Sequence, residues 1–528
     1  MARKQLVWIV AVFAIMLQAC GGGGNGGGNS AASGLATVSL TDAPGDFDHV
    51  WITVKDIWFH TDDAAGPGEG GWLKYPLDAP KTVDLLTLSK GAVGAPVWGN
   101  IKLPVGTYKQ VRILLAPTFD ANPPEGHSYY NEVVIGANTY PLRVPDAEHG
   151  ISLNGTFEIT ENGTLRLAVD FDAGHDIVDI QRSGLTEYVL KPRLASFDLD
   201  HAGAIVGHID LASAATNSTA HFVVKAEQVN DPQYPQYHVV RRTTIIDPAT
   251  GKFVFYPLKP GGYDIVIRGI GYQTVIVKGV PVASGTTPAA EATAVPVVNM
   301  AASIGDYTVD GSIFSPSGAW VNFYQTLQGP GEVPYEVRFR HFNPLTGTFA
   351  GFRLSSDQIR LASYVSGTLL TGPTGTDPVE GAGNFKAAAD AVLYDRSAFQ
   401  IVSSATTTVS FGDLTPAAPA TSRSVTGMIT MPSGSTGMMN RGIAFAVHDG
   451  MIVNAISVDS QMSSGGAFTM NNLPGGSPVA PLRGAFYGIE AMGWSSLTPA
   501  AKAISLPGIA DLRTGDDPAV DMHMIMLP

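Results

Sequence analysis

Five aspartates fall into two groups whose spacing could hold a hard cation. Asp42, Asp46 and Asp48 lie in one predicted loop, and Asp170 and Asp172 lie two apart, so on a strand both face one side of a sheet. Carboxylates grouped in this way suit calcium. The loop lacks the Asp-x-Asp-x-Asp-Gly…Glu spacing of a dedicated calcium loop. Turn chemistry is the stronger reading: Asp42 can accept from backbone amides, and Pro44 fixes a turn. No metal ligand, catalytic residue or cofactor is therefore assigned. Other chemistry is not spelled out in the chain. The 12 histidines are dispersed, and His-Glu-x-x-His is absent. There is no Gly-x-Ser-x-Gly elbow, and no phosphate-binding glycine loop set between strand and helix. Carboxylate pairs for glycoside hydrolysis need only proximity in space, so they stay open. Trp51, Trp58 and Trp72 are candidates for stacking on sugar rings. Trp51 fits an alternating strand and is expected in the core, whereas Trp72 follows a Gly-rich stretch and is expected at the surface.

Cys20 is the sole cysteine, which excludes a disulfide within the chain. Its surroundings give it a different chemistry. Arg3 and Lys4 precede an apolar run from Leu6 to Leu17, and Leu17-Gln18-Ala19-Cys20 follows at once. The run is too short for a stable membrane span. These residues resemble the signal and lipobox of bacterial lipoproteins, with Gln18 where a small residue is more usual. The resemblance implies cleavage before Cys20, lipidation of its thiol and amine, and membrane attachment through several acyl chains. Residues 1–20 are then the signal and 21–34 a Gly/Asn-rich tether. The residue after Cys20 is not aspartate, which resembles lipoproteins sent on to the outer membrane.

The rest of the chain must present a folded body at that anchor. Of its 528 residues, 45% are hydrophobic and 15% charged, which is enough for cores and too apolar for disorder. The net charge is -14 and no basic patch interrupts it, so nucleic acid is excluded as a partner. Gly (60) and Pro (36) are frequent, as many turns between short strands require. Ala36 to Leu40, Val50 to Val54 and Val111 to Leu115 alternate apolar residues with period two. The predicted fold class is all-β, in tandem β-sandwich domains of immunoglobulin-like or transthyretin-like kind.

Residues 35–200 carry a recognisable series: Val38-Ser39-Leu40-Thr41-Asp42-Ala43-Pro44, Val50-Trp51-Ile52-Thr53-Val54, Leu103-Pro104-Val105-Gly106-Thr107-Tyr108, Val169-Asp170-Phe171-Asp172 and Leu190-Lys191-Pro192. The series resembles the bacterial family known as domain of unknown function 4382, which has no established activity. Behind it the chain repeats. Ala204-Ile205-Val206-Gly207, Thr308-Val309-Asp310-Gly311 and Ser424-Val425-Thr426-Gly427 are strands with glycine fourth, starting 104 and then 116 residues apart. Each leads to a Gly-x-Phe landmark: Gly251-Lys252-Phe253, Gly347-Thr348-Phe349 and Gly466-Ala467-Phe468. Leu258-Lys259-Pro260-Gly261-Gly262-Tyr263 and Leu473-Pro474-Gly475-Gly476 add a third. This order resembles carboxypeptidase-regulatory-like, or transthyretin-like, sandwiches over 203–299, 300–421 and 422–528, with the middle one divergent. Such modules have no peptidase chemistry, and their glycines are expected in tight turns. Pilin-type sandwiches of a similar kind join Lys to Asn covalently. Lys225 and Asn299 could do so here, although an ordinary exposed lysine is the stronger reading. Lys386 is the only lysine of the third span and Lys502 that of the fourth. Together these residues predict a non-enzymatic envelope or surface lipoprotein that binds, adheres or scaffolds, with an extracellular glycan or envelope protein as partner. The alternative is a polysaccharide-active enzyme or accessory carbohydrate-binding protein.

Overall fold

The computed structural model describes residues 32–527, apart from 44, 46, 183–184, 215–221, 230, 233, 291, 304, 315–316, 328–330, 356–358, 367–375, 378–384, 417–420, 477–484, 498–500 and 517–518. Cys20, its signal and most of the tether lie outside those residues. The regular structure of the described chain is nearly all strand, with a 3-10 turn at Leu85–Leu88, a four-residue α-helix at Ala173–Asp176 and a six-residue one at Asp459–Ser464. No helix among the described residues is long and apolar enough to cross a membrane.

The first unit packs two sheets face to face. In the smaller, Ser33–Ala43 lies between Trp98–Pro104, to which it is antiparallel, and Thr164–Asp172, to which it is parallel. The first half of Ser33–Ala43 alternates in burial, and its last six residues are buried without a break. A central strand covered on both faces reads in this way. The larger sheet is built around His49–His60, which pairs with Leu73–Asp84, Gly106–Leu115 and Glu132–Ile135. Val38, Leu40, Ile52, Phe59, Ile113 and Phe171 close the core between the sheets.

Three further sandwiches follow, and they share one device. Gly207 lies opposite Phe253, Gly311 opposite Phe349 and Gly427 opposite Phe468 in antiparallel register. A Cβ at these glycines would meet the ring of its partner at 2.2, 2.4 and 2.8 Å. The fourth-position glycine is thus a mid-strand residue that lets an aromatic ring lie across the backbone, and not the turn residue expected. The turn glycines are others: Gly251 (φ +72°), Gly347 (φ +63°) and Gly465 (φ +77°). Asp247 and Asn343 close two of these turns by accepting backbone amides two and three residues on.

The units are not beads on a string. The sheet of the second unit continues into the third span, because Ile359–Ser363 pairs in parallel with residues 275–278. Ile180 and Val189 of the first unit share a core with Ile443, Phe445 and Trp494 of the last. Arg112 reaches Asp449 at 2.8 Å, and Arg143 reaches Glu490 at 3.2 Å, across the same seam. A Cβ on Gly318 would come within 1.8 Å of the Ile452 carbonyl oxygen, so the third and fourth units touch backbone to backbone there. Lys225, expected exposed or joined to Asn299, is buried instead. It sits on a strand whose alternate positions face the third unit, and its ammonium lies 2.7 Å from Glu336.

Candidate functional site

The parallel pairing of Ser33–Ala43 with Thr164–Asp172 sets Thr41 beside Asp170 and Ala43 beside Asp172. One register therefore brings part of both aspartate groups to the same end of the small sheet. Asp42 is buried there, with Oδ1 accepting from the Ala173 amide at 3.0 Å and Oδ2 left without a partner. Burial pushes its carboxyl well above the usual range. Asp48 is elsewhere: it is exposed and caps the Gly136 amide at 2.6 Å. Asp46 lies outside the described residues. Asp42 and Asp48 thus meet different partners. Among the described residues no group of three or more acidic, His or Cys side chains is arranged to hold a metal.

What stands beside Asp170 is the protein's own cation. Arg242, on Val239–Ile245 of the second unit, faces the Asp170 carboxylate at 3.0 Å and donates to Thr41 Oγ1 at 2.8 Å. Burial still raises the Asp170 carboxyl to about 6 against that pull. Asp172 caps the short helix that follows, accepting from the His175 amide at 3.1 Å. Its other oxygen lies 2.8 Å from His175 Nδ1. Burial opposes ionisation of Asp172, but His175 and Arg193 prevail and hold it below the usual range. Asp176, fully buried one turn on, is driven by burial and by the Asp172 charge up to about 8. Its Oδ1 has no hydrogen-bond partner. An ionised and a protonated carboxyl thus stand side by side near neutral pH.

These groups line a cavity of about 280 Å³ where the first three units meet. The third unit adds Trp320 and Asn322, from a strand buried along its whole length, and Asp390 with Arg396. Arg396 is fixed between units: it holds Asp390 at 2.7 Å and lies 3.8 Å over the ring of Tyr237 from the second unit. Asn322 donates to the other Asp390 oxygen at 2.8 Å. Glu336, another wall residue, is held below its usual range by Lys225 despite burial. Tyr234 and Arg193 stand exposed at the mouth. The Arg193 guanidinium lies 4.8 Å over the Trp320 ring and forms no ion pair among the described residues.

Residues 33–192 match the family described as Domain of unknown function (DUF4382). The match thus ends one residue short of Arg193, so the DUF4382 unit supplies three of the cavity's aspartates, Asp170, Asp172 and Asp176, and the following units supply Asp390, the aromatic walls and most of the cationic ones. No curated protein matches the chain. Among solved structures, it is similar to two B repeat units of the collagen binding protein of Staphylococcus aureus, at 11% identity, 94% and 99% of the two chains and a TM-score of 0.14. It is also similar to the shaft pilin SpaA of Lactobacillus rhamnosus GG, at 8% identity, 42% and 96% coverage and a TM-score of 0.17. A streptococcal ancillary pilin shares 10% identity over 61% and 99% of the chains, with a TM-score of 0.14.

The three candidate tryptophans do not line that cavity. Trp51 is only half-buried, held between the rings of His49 and His127 at 5.7 and 4.8 Å, and is not a core residue. Trp72 is half-buried rather than exposed, because its indole donates to Gly66 O at 2.9 Å and its ring meets Trp58 and His60. Lys74 covers Trp58 at 3.7 Å. The aromatics that do line a cavity, Trp320, Tyr234 and Tyr237, escaped the sequence reading. One local signal pointed to the site: Arg241-Arg242 inside an otherwise strand-forming run, where a charge on each face needs a partner.

Proposed function

We propose that this chain is an exported, lipid-anchored envelope or surface protein that binds a partner and performs no chemistry on it. Lipidation of Cys20 and the glycine tether hold it to a membrane, the outer membrane or cell surface being the destination. The observation that carries the reading is the cavity: three units are clamped around it by buried ion pairs, as a preorganised binding site requires. Such clamps hold lining groups in place, whereas units strung on linkers would move independently.

The polysaccharide-active alternative is favoured by one observation: two carboxyls, Asp172 and Asp176, share a cavity wall, with His175 and Arg193 pulling the first down while burial pushes the second up. One experiment separates the two. The full chain, purified in detergent, is screened for binding to glycan arrays, peptidoglycan and secreted proteins, and each ligand that binds is analysed for cleavage. Binding with intact ligand is expected. Turnover of any polymer would overturn the non-enzymatic reading, and no binding in any class would overturn the binding reading.

A further inference from the structure

We propose that the cavity between the first three units holds one pyranose ring of an uncharged glycan. The inference rests on the reading of the chain as a binding protein and names its ligand. Charge decides the class. Arg242 faces Asp170, Arg396 faces Asp390 and Lys225 faces Glu336. Arg193 lies in the field of Asp172. Each buried lining ion faces a counter-ion within the protein, so a charged ring seated among them would find none left and would pay for its own desolvation. A neutral polyol does not.

Hydrogen-bonding capacity remains where a polyol needs it. The Asp172 carboxylate, a quarter exposed, stands on the cavity wall. The Arg193 guanidinium keeps its N–H donors at the mouth. A carboxylate accepts from hydroxyls and a guanidinium donates to them, so the two together suit neighbouring hydroxyls of one ring. The Tyr234 ring, 36% exposed and 5.5 Å from Tyr237, offers an aromatic face beside them for the C–H face of a sugar ring. Size sets the number of rings. A cavity of about 280 Å³, open at its mouth, has room for one ring behind Tyr234 and Arg193. Neighbouring sugars would leave past Tyr234 and Arg193.

The test uses the full chain in a sugar-free detergent. Methyl glycosides of glucose, galactose, mannose and N-acetylglucosamine are titrated by calorimetry and by saturation-transfer NMR, with glucuronate and glucosamine as charged controls. At least one neutral glycoside should bind with transfer to its ring protons. Tyr234→Ala and Arg193→Gln, both at the solvent-facing mouth, should each weaken it at least tenfold, with the melting temperature of Tyr234→Ala unchanged. Failure of all four glycosides, or preference for a charged control, overturns the proposal. If the broad screen finds a partner that both variants still bind at full strength, the binding reading stands and this site falls. Binding followed by release of cleaved sugar would keep the site and overturn the non-enzymatic reading.

Discussion

Replacing Asp176 by Asn isolates the energetic cost of the acidic cluster. Asp176 is fully buried, and its carboxyl is raised to about 8 by burial and then by the charge of Asp172, with Arg193 pulling the other way. The charges of Lys191 and Asp42 complete its surroundings. In the unfolded chain the same group titrates near ~3.9. The folded state therefore holds the proton more tightly. Stability from this group is fully present below the unfolded value and is lost as pH rises through about 8. Between those limits the slope is about 1.4 kcal/mol per pH unit. Asn keeps the shape and can still accept the Asp172 amide, now made to Asp176 Oδ2 at 3.1 Å, but it cannot ionise. The stability difference, Asn variant minus native protein, should thus grow in favour of Asn by roughly 4 kcal/mol from pH 5 to pH 8. Urea unfolding followed by tryptophan fluorescence at pH 5, 6, 7 and 8 measures it, and titrations shared by both proteins largely cancel. A difference that stays flat, or that turns against Asn as pH rises, would refute the placing of a protonated carboxyl beside Asp172.

Three further outcomes are expected. Arg242→Met leaves Asp170 buried and unpaired and should destabilise the chain by about 3–5 kcal/mol near pH 8 in thermal or urea unfolding; the loss should shrink at pH 5, where Asp170 takes a proton. Gly207→Ala puts a methyl 2.2 Å from the Phe253 ring and should cost about 1–3 kcal/mol in the same assay, partly restored by adding Phe253→Leu. Cys20→Ser should move the protein from the detergent-rich to the aqueous phase, or leave it unprocessed; a variant still held by membranes after high-salt washing would show that the thiol is not the anchor.

Much of this protein is legible one segment at a time. Period-two alternation marks strands because successive side chains point to opposite faces, whatever the rest of the chain does. The proposed signal ending at Cys20 is likewise a matter of short-range spacing, because processing enzymes read a short stretch. The recurrence of Gly207, Gly311 and Gly427 with Phe253, Phe349 and Phe468 is equally plain, although only the cross-strand register shows that each glycine makes room for a ring. The two-residue spacing of Asp170 and Asp172 puts both on one cavity wall, as a strand requires. Their company is another matter. Asp42 joins them through a parallel pairing across more than a hundred residues, and Arg242 and Trp320 arrive on different units. Lys225 is a charge inside a strand whose burial was decided by Glu336 of the neighbouring unit. Local pattern determines what a segment becomes, because turn and strand preferences act over a few residues. Which carboxyl meets which guanidinium depends on how finished units dock, and that is set by the fit of whole surfaces that no local spacing encodes.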